Sequence, residues 1–207
     1  MNYLQPSEYE LYGLEGTTDV AWITAASALI DSHCARPSLA LIQYMERLLT
    51  DGQRPVQLTY LPMAALAPAT TPFVSARARY AMPRRGELPD EELAFDAGMA
   101  FGIPGSWVDM DVSLFDCMPD TGVVTIPLNI FAWAYNELEI TYTAGWTTIP
   151  DPVKVACAQL AKNAQSTPGL NVKKGVMNNM QLWYFKDSLL DQTVTELLAP
   201  YVARKVG

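Results

Sequence analysis

The stretch ELEITYTAGWTTIPDPVKVACAQLAKN, residues 137–163, constrains the fold of this chain more than any other. Leu138, Ile140 and Tyr142 alternate with Glu139, Thr141 and Thr143, the period of a half-buried strand. Gly145 follows, a residue type that admits backbone angles others avoid. Asp151 suits a helix N-cap and Pro152 the first helical position. Val153, Ala156, Cys157, Leu160 and Ala164 then fall on one helical stripe, which ends before Pro168-Gly169. Strand, tight turn and helix are joined with firm punctuation, and no residue among them is an obvious catalytic group.

The flanking sequence supplies the rest of the pattern. Pro6, Ser7, Glu8 and Glu10 suit the first turn of a short helix ended by Gly13 and Gly16. Thr17 or Thr18 is expected to cap a helix over 18–34, whose Trp22, Ala25, Ala26, Leu29 and Ile30 share a face. Strands are expected at 56–60, 72–80, 107–112, 122–128 and 137–143, with Phe73, Ser75, Arg77 and Arg79 on one face of the second and Val74, Ala76, Ala78 and Tyr80 on the other. Residues 82–106, rich in Gly, Pro and charge, read as a long excursion from the body. Residues 172–186 fit either a hairpin or a loop. A last helix is expected over 187–199, with Leu190, Val194, Leu197, Leu198 and Tyr201 on one stripe. The order of helices, strands and helices predicts an α+β fold. In it, a bundle of N-terminal, central and C-terminal helices packs with an antiparallel β insertion. One domain would span 1–207, with the β-rich insertion at about 55–145 and a C-terminal helical arm at 172–207. Trp22, Ile30, Tyr142, Val153, Ala156 and Leu160 are expected to share one core.

Composition removes several function classes. The net charge is −8 and the basic clusters Arg77/Arg79, Arg84/Arg85 and Lys173/Lys174 are short, which disfavours sequence-specific nucleic-acid binding. Charged residues make up 17%, below the roughly 25% usual for soluble domains, which suggests surface covered by partners. The N-terminus lacks the pattern of a secretory leader, and no apolar run is long enough to span a membrane, so a cytoplasmic site of synthesis with reduced thiols is expected. Cys34, Cys117 and Cys157 have no metal-ligand spacing, and Cys34 and Cys157 fit core positions. His33 is the sole histidine, so the usual zinc triads are excluded, and it reads as a structural residue near a helix end. GIPGS at 102–106 lacks a phosphate-binding lysine, and no nucleophile elbow is present. Asp109, Asp111 and Asp116 in WVDMDVSLFD are the best candidate cation ligands, but their spacing is not that of a calcium loop and aspartate is ordinary on a solvated strand face. No catalytic, cofactor or metal site is therefore assigned, and no enzyme activity is expected.

EITYTAGWTTIPDPVKVACAQLA resembles the tailed-bacteriophage head–tail connector family, also called adaptor or head-completion proteins. There a strand reading roughly V-T-Y-x-A-G meets I-P-x-x-V-K-x-A and a helix. The matching residues are Ile140, Thr141, Tyr142, Ala144, Gly145, Ile149, Pro150, Val153, Lys154 and Ala156. YLQPSEYELYGL resembles the family's opening, ASALIDSHCARP its first long helix, GQRPVQLTYLPM the strand that follows and LLAPY its C-terminal helix. Residues 81–121 are not covered. The resemblance implies a structural protein of the virion neck, made in the host bacterial cytoplasm. It implies a homo-oligomeric ring, usually dodecameric in that family, docked on the portal protein, with a further tail or neck protein on its distal face. DNA would pass through the lumen without sequence-specific binding, and a net negative charge suits such a conduit because a basic lumen would hold phosphates. Leu190, Val194, Leu197, Leu198 and Tyr201, with the basic Arg204 and Lys205, would reach the portal. Two alternatives stand beside this reading. One is another tail structural subunit, such as a terminator or tube protein. The other is a small metal-binding enzyme with a concave site around Asp109–Asp116.

Overall fold

Two separate clusters of buried side chains organise the chain, and they divide it into two compact units. One unit comprises Met1–Ala40 with Trp146–Ala203, the other Leu41–Gly145. The computed structural model describes residues 1–50, 55–79, 100, 105–128, 135–166, 174–177, 180–183 and 189–203.

The first unit is helical. Helix α1 spans Val20–His33 and α2 spans Asp151–Ser166. The N-cap of α1 is Asp19, whose carboxylate accepts from the Ala21 N–H at 2.9 Å, so the cap lies beyond the expected Thr17 or Thr18. Helix α3 covers Gln192–Leu198, capped by Asp191 through the Val194 N–H at 2.7 Å. It is shorter than the expected 187–199, because Asp191 caps it and the chain tightens into a 3-10 turn at Ala199–Tyr201 around Pro200. Ile23, Ile30, Val153, Ala156, Leu160, Val194 and Leu198 are buried together, and Trp22 packs against them partly exposed. Each large side chain here contributes about 1.5–3 kcal/mol. Polar ties fasten the N-terminal segment to α1. The Tyr3 N–H donates to Ser27 Oγ at 3.1 Å. The Tyr3 hydroxyl donates to Asp31 and accepts from the Leu39 N–H. Burial pushes the Tyr3 phenol well above its ordinary range.

The second unit is built of strands. Strand β1 covers Ile42–Leu49, β2 Pro55–Gln57, β3 Phe73–Arg79 and β4 Val108–Met110. After these come β5 at Asp116–Met118, β6 at Val123–Thr125 and β7 at Glu137–Ala144. One antiparallel sheet has the order β1-β7-β3-β4 and a second the order β2-β6-β5. Tyr44, Leu58, Ala78, Val124, Leu138, Ile140, Tyr142 and Ala144 form their common core. The turn between β5 and β6 needs Gly122. Its φ is +75°, and a Cβ there would stand 2.5 Å from Leu61 Cδ2 and 3.1 Å from the Leu58 carbonyl oxygen.

These observations correct the expected fold class. The chain is not a helical bundle with a β insertion. Nine strands accompany three α-helices among the described residues, seven of them in the two antiparallel sheets of the second unit. The β-rich part also begins earlier than 55, at Ile42, because β1 was not anticipated. The expected single core separates too, since Tyr142 belongs to the sheet cluster and Ile30, Val153, Ala156 and Leu160 to the helical one. Within 172–186, strands β8 (Lys174–Met177) and β9 (Met180–Trp183) pair as a hairpin. Apart from Ala100, Gly105 and Ser106, the expected excursion at 82–106 lies outside the described residues.

Two outcomes follow for the helical unit. Val153→Asp places an unpaired charge in a fully buried position and should abolish cooperative unfolding of that unit, monitored by far-ultraviolet circular dichroism. Removing residues 187–207 deletes Val194 and Leu198 from the same core and should leave it poorly folded. A truncated chain that melts like the full one would refute the second expectation.

Candidate functional site

The outer face of the four-stranded sheet gathers the densest set of interacting charges among the described residues. It arises from simple alternation. Arg77 and Arg79 share a face of β3, Glu137 and Glu139 a face of β7, and Arg47 the same face of β1. Register then sets Arg47 opposite Glu139, Glu139 opposite Arg77, and Arg77 opposite Asp109 of β4. Sign therefore alternates in one row across all four strands.

The contacts are close. Glu137 Oε2 accepts from Arg47 Nη2 and from Arg79 Nε, both at 2.7 Å. Glu139 Oε1 accepts from Arg77 Nε at 2.7 Å. Hydrogen bonds from Arg79 and then Arg47 hold the Glu137 carboxyl below its ordinary range, and the Arg77 bond does the same for Glu139. Trp107 lies over this network. Its ring centroid is 4.6 Å from the Arg79 guanidinium carbon, 4.9 Å from that of Arg77 and 5.3 Å from that of Arg47. Each such contact is worth roughly 0.5–1 kcal/mol where solvent reaches it. Three arginines face Glu137, Glu139 and Asp109, so the face is neutral overall. It has the arginines and aromatic ring of a phosphate-binding platform without the positive charge that such binding needs.

Two further features belong to the same sheet. Met45 and Leu49 on β1 are 70% and 76% exposed, and Val108 on β4 is 45% exposed. Strands β1 and β4 are the sheet's edges, with no partner on their outer sides among the described residues.

The residues expected to reach a portal lie elsewhere. Val194 and Leu198 are fully buried in the helical core, and Leu190, Leu197 and Tyr201 pack partly buried against it. The Tyr201 ring meets Trp146 edge-on at 5.2 Å. The helix stripe is thus filled from within its own unit. Arg204 and Lys205 lie outside the described residues. Asp109, Asp111 and Asp116 are dispersed. Asp109 faces the charged row, Asp111 accepts from the Ser113 N–H at 2.9 Å, and Asp116 sits in the other sheet. Cys34 and Cys157 are buried, and burial pushes both thiols up to about 11. In the helical unit an apolar groove of about 450 Å³ opens between Trp22, Leu29, Leu160 and Leu189, and none of the described residues lining it is titratable.

From the sequence, Arg77 and Arg79 counted only as a short basic cluster, Glu139 was placed on a strand face without a role, and Arg47 and Glu137 were passed over. The available signal was complementarity. ARAR in one strand and ELE in another carry opposite charges at the same two-residue spacing. Among the described residues, no helix is long and apolar enough to cross a membrane. No protein-family model and no curated protein matches this chain.

Glu137→Gln leaves two guanidiniums without their shared anion and should cost about 1.5–3 kcal/mol at neutral pH. Because the folded carboxyl titrates below its ordinary value, its contribution is present above about pH 4.3 and is lost as pH falls through the lower folded value. Urea midpoints for the two proteins should therefore converge on acidification. A gap of constant size down to about pH 3 would refute the assignment.

Proposed function

We propose that this chain is a structural subunit of the tailed-phage neck, a head–tail connector that forms a homo-oligomeric ring on the portal and carries the joint between filled capsid and tail. The observation that carries the reading is how the connector-like motif is used. Ile140, Tyr142 and Ala144 are fully buried in the sheet unit, and Val153 and Ala156 are fully buried in the helical unit. Gly145, at φ +117°, is the last residue of one unit before Trp146 opens the next part of the other. The motif therefore serves packing on both sides of a joint, as a structural subunit requires. The dense polar contacts lie on the outer, neutral sheet face, where Arg47, Arg77 and Asp109 are exposed, which suits lateral contact between proteins better than catalysis or phosphate binding. With a net charge of −8, a ring of such subunits would let DNA pass without holding it.

A second reading, a tail terminator or tube subunit, gains support from the strand-rich second unit. Incubation with purified portal rings of the same virus separates the two. Connector function predicts co-sedimentation of the chain with portal rings and an added layer by negative-stain microscopy. Binding to isolated tail tubes with none to portal rings would overturn the connector reading in favour of the second.

A further inference from the structure

We propose that the free edge of β4 in one copy pairs antiparallel with the free edge of β1 in the next, continuing the charged sheet from subunit to subunit. The inference deepens the connector reading, and rests on it for the expectation that the series closes into a ring.

Main-chain direction comes first. The Thr50 N–H donates to the Asn136 carbonyl at 3.0 Å. Alternation along the β1–β7 register then turns the even-numbered residues of β1 toward β7 and leaves Gln43, Met45, Arg47 and Leu49 with outward main-chain groups. On the other side, the Thr143 N–H donates to the Pro72 carbonyl at 2.8 Å, so odd-numbered β7 residues bond toward β3. Carried through the two registers, this leaves Asp109 as the β4 residue with outward main-chain groups. Strand β4 runs opposite to β3, and β3 runs the same way as β1. The β4 edge of one copy therefore meets the β1 edge of another in antiparallel sense.

Charge selects the register. The row Arg47, Glu139, Arg77, Asp109 begins with a cation on one edge and ends with an anion on the other. Within a chain these ends lie on opposite edges, and Asp109 forms no ion pair with a described residue. Placing Asp109 opposite Arg47 of the next copy extends the alternation without a break. The same register sets Val108 against Leu48 on the core side and Asp111 opposite Met45, so the exposed Val108 and Met45 each gain a neighbour. Nothing in β1 opposes this, because the strand contains neither lysine nor proline, the usual guards of an edge. The contact joins two different surfaces of the same molecule. Such heterologous contacts generate rings when the rotation closes.

Paired cysteines in a Cys117→Ser background test this with a short bis-maleimide on the full chain. Arg47→Cys with Asp109→Cys in one chain should give a ladder of covalent dimers, trimers and higher species. Each single-cysteine chain should stay monomeric, and an equal mixture of the two should stop at dimer. Met45→Cys with Asp111→Cys repeats the test with the Arg47–Glu137 pair intact, and adding Asp109→Lys there should cut the ladder about tenfold. Absence of a ladder from both pairs in folded protein overturns the proposal. So does dimer formation by the Arg47→Cys chain alone, which would indicate two-fold pairing of β1 with itself. Portal binding is measured separately on the unmodified chain. A ladder without portal binding removes the connector reading and leaves this contact, and the reverse result removes the contact alone.

Discussion

The sheet unit depends on the register of β7. That strand is hydrogen-bonded along both sides, to β1 and to β3, so its alternation must satisfy two neighbours at once. Leu138, Ile140, Tyr142 and Ala144 are fully buried on one face, while Glu137 and Glu139 sit on the other. A slip of one residue would exchange these faces and bring carboxylates into the core. The ion pairs with Arg47, Arg77 and Arg79 penalise such a slip again from the outside. Tyr142 fixes the strand at its far end, where its hydroxyl donates to Glu46 at 3.0 Å and accepts from the Tyr60 N–H at 3.1 Å. Tyr60 in turn stacks on Tyr44 at 4.1 Å.

The helical unit solves a different problem, because its two halves are separated in sequence by the whole sheet unit. Burial of Ile23 and Ile30 against Val153 and Leu160 supplies the non-directional attraction. Directional contacts then specify one arrangement. Lys154 pairs with Glu8, the Tyr12 hydroxyl donates to Asp151 at 2.9 Å, and the Ala203 N–H donates to the Cys34 carbonyl at 2.9 Å. Each joins residues more than a hundred positions apart, so closing it carries a loop-entropy cost that the assembled core offsets.

Legibility in the sequence followed periodicity and length. Helices α1 and α2 and strands β3 and β7 were readable because their patterns persist over seven or more residues. Strand β1 was not. IQYMERLL contains leucine, methionine, glutamate and arginine, good helix formers, and only its pairing with β7 makes it a strand. Strands β2, β4 and β6 overlap the expected 56–60, 107–112 and 122–128 but have only three residues each, and β5, equally short, was missed because so brief a run establishes no period. Missing β1 made the β part look like an insertion at about 55–145 and gave the helices too much weight. The same omission hid the charged row, whose first member is Arg47. The apolar stripe of α3 was legible as a stripe, but a stripe does not say what covers it, and the helical core covers this one.

The shortness of β4 has a consequence for how copies of the chain would associate. A strand of three residues offers one fully outward main-chain position and its flanks. A contact of that size falls well short of the roughly 1,200 Å² typical of a stable interface between two free proteins. In the proposed assembly each subunit makes the contact twice, and a surface that gathers subunits raises their effective concentration. Edge pairing of this kind is then short-lived between free copies, long enough for a covalent cross-linker to accumulate the pairs, and becomes persistent where a template already holds them in a circle. An edge strengthened enough to pair unaided would also pair with itself or extend into open filaments. The short strand and the single terminal charge favour completion on a template over assembly in solution.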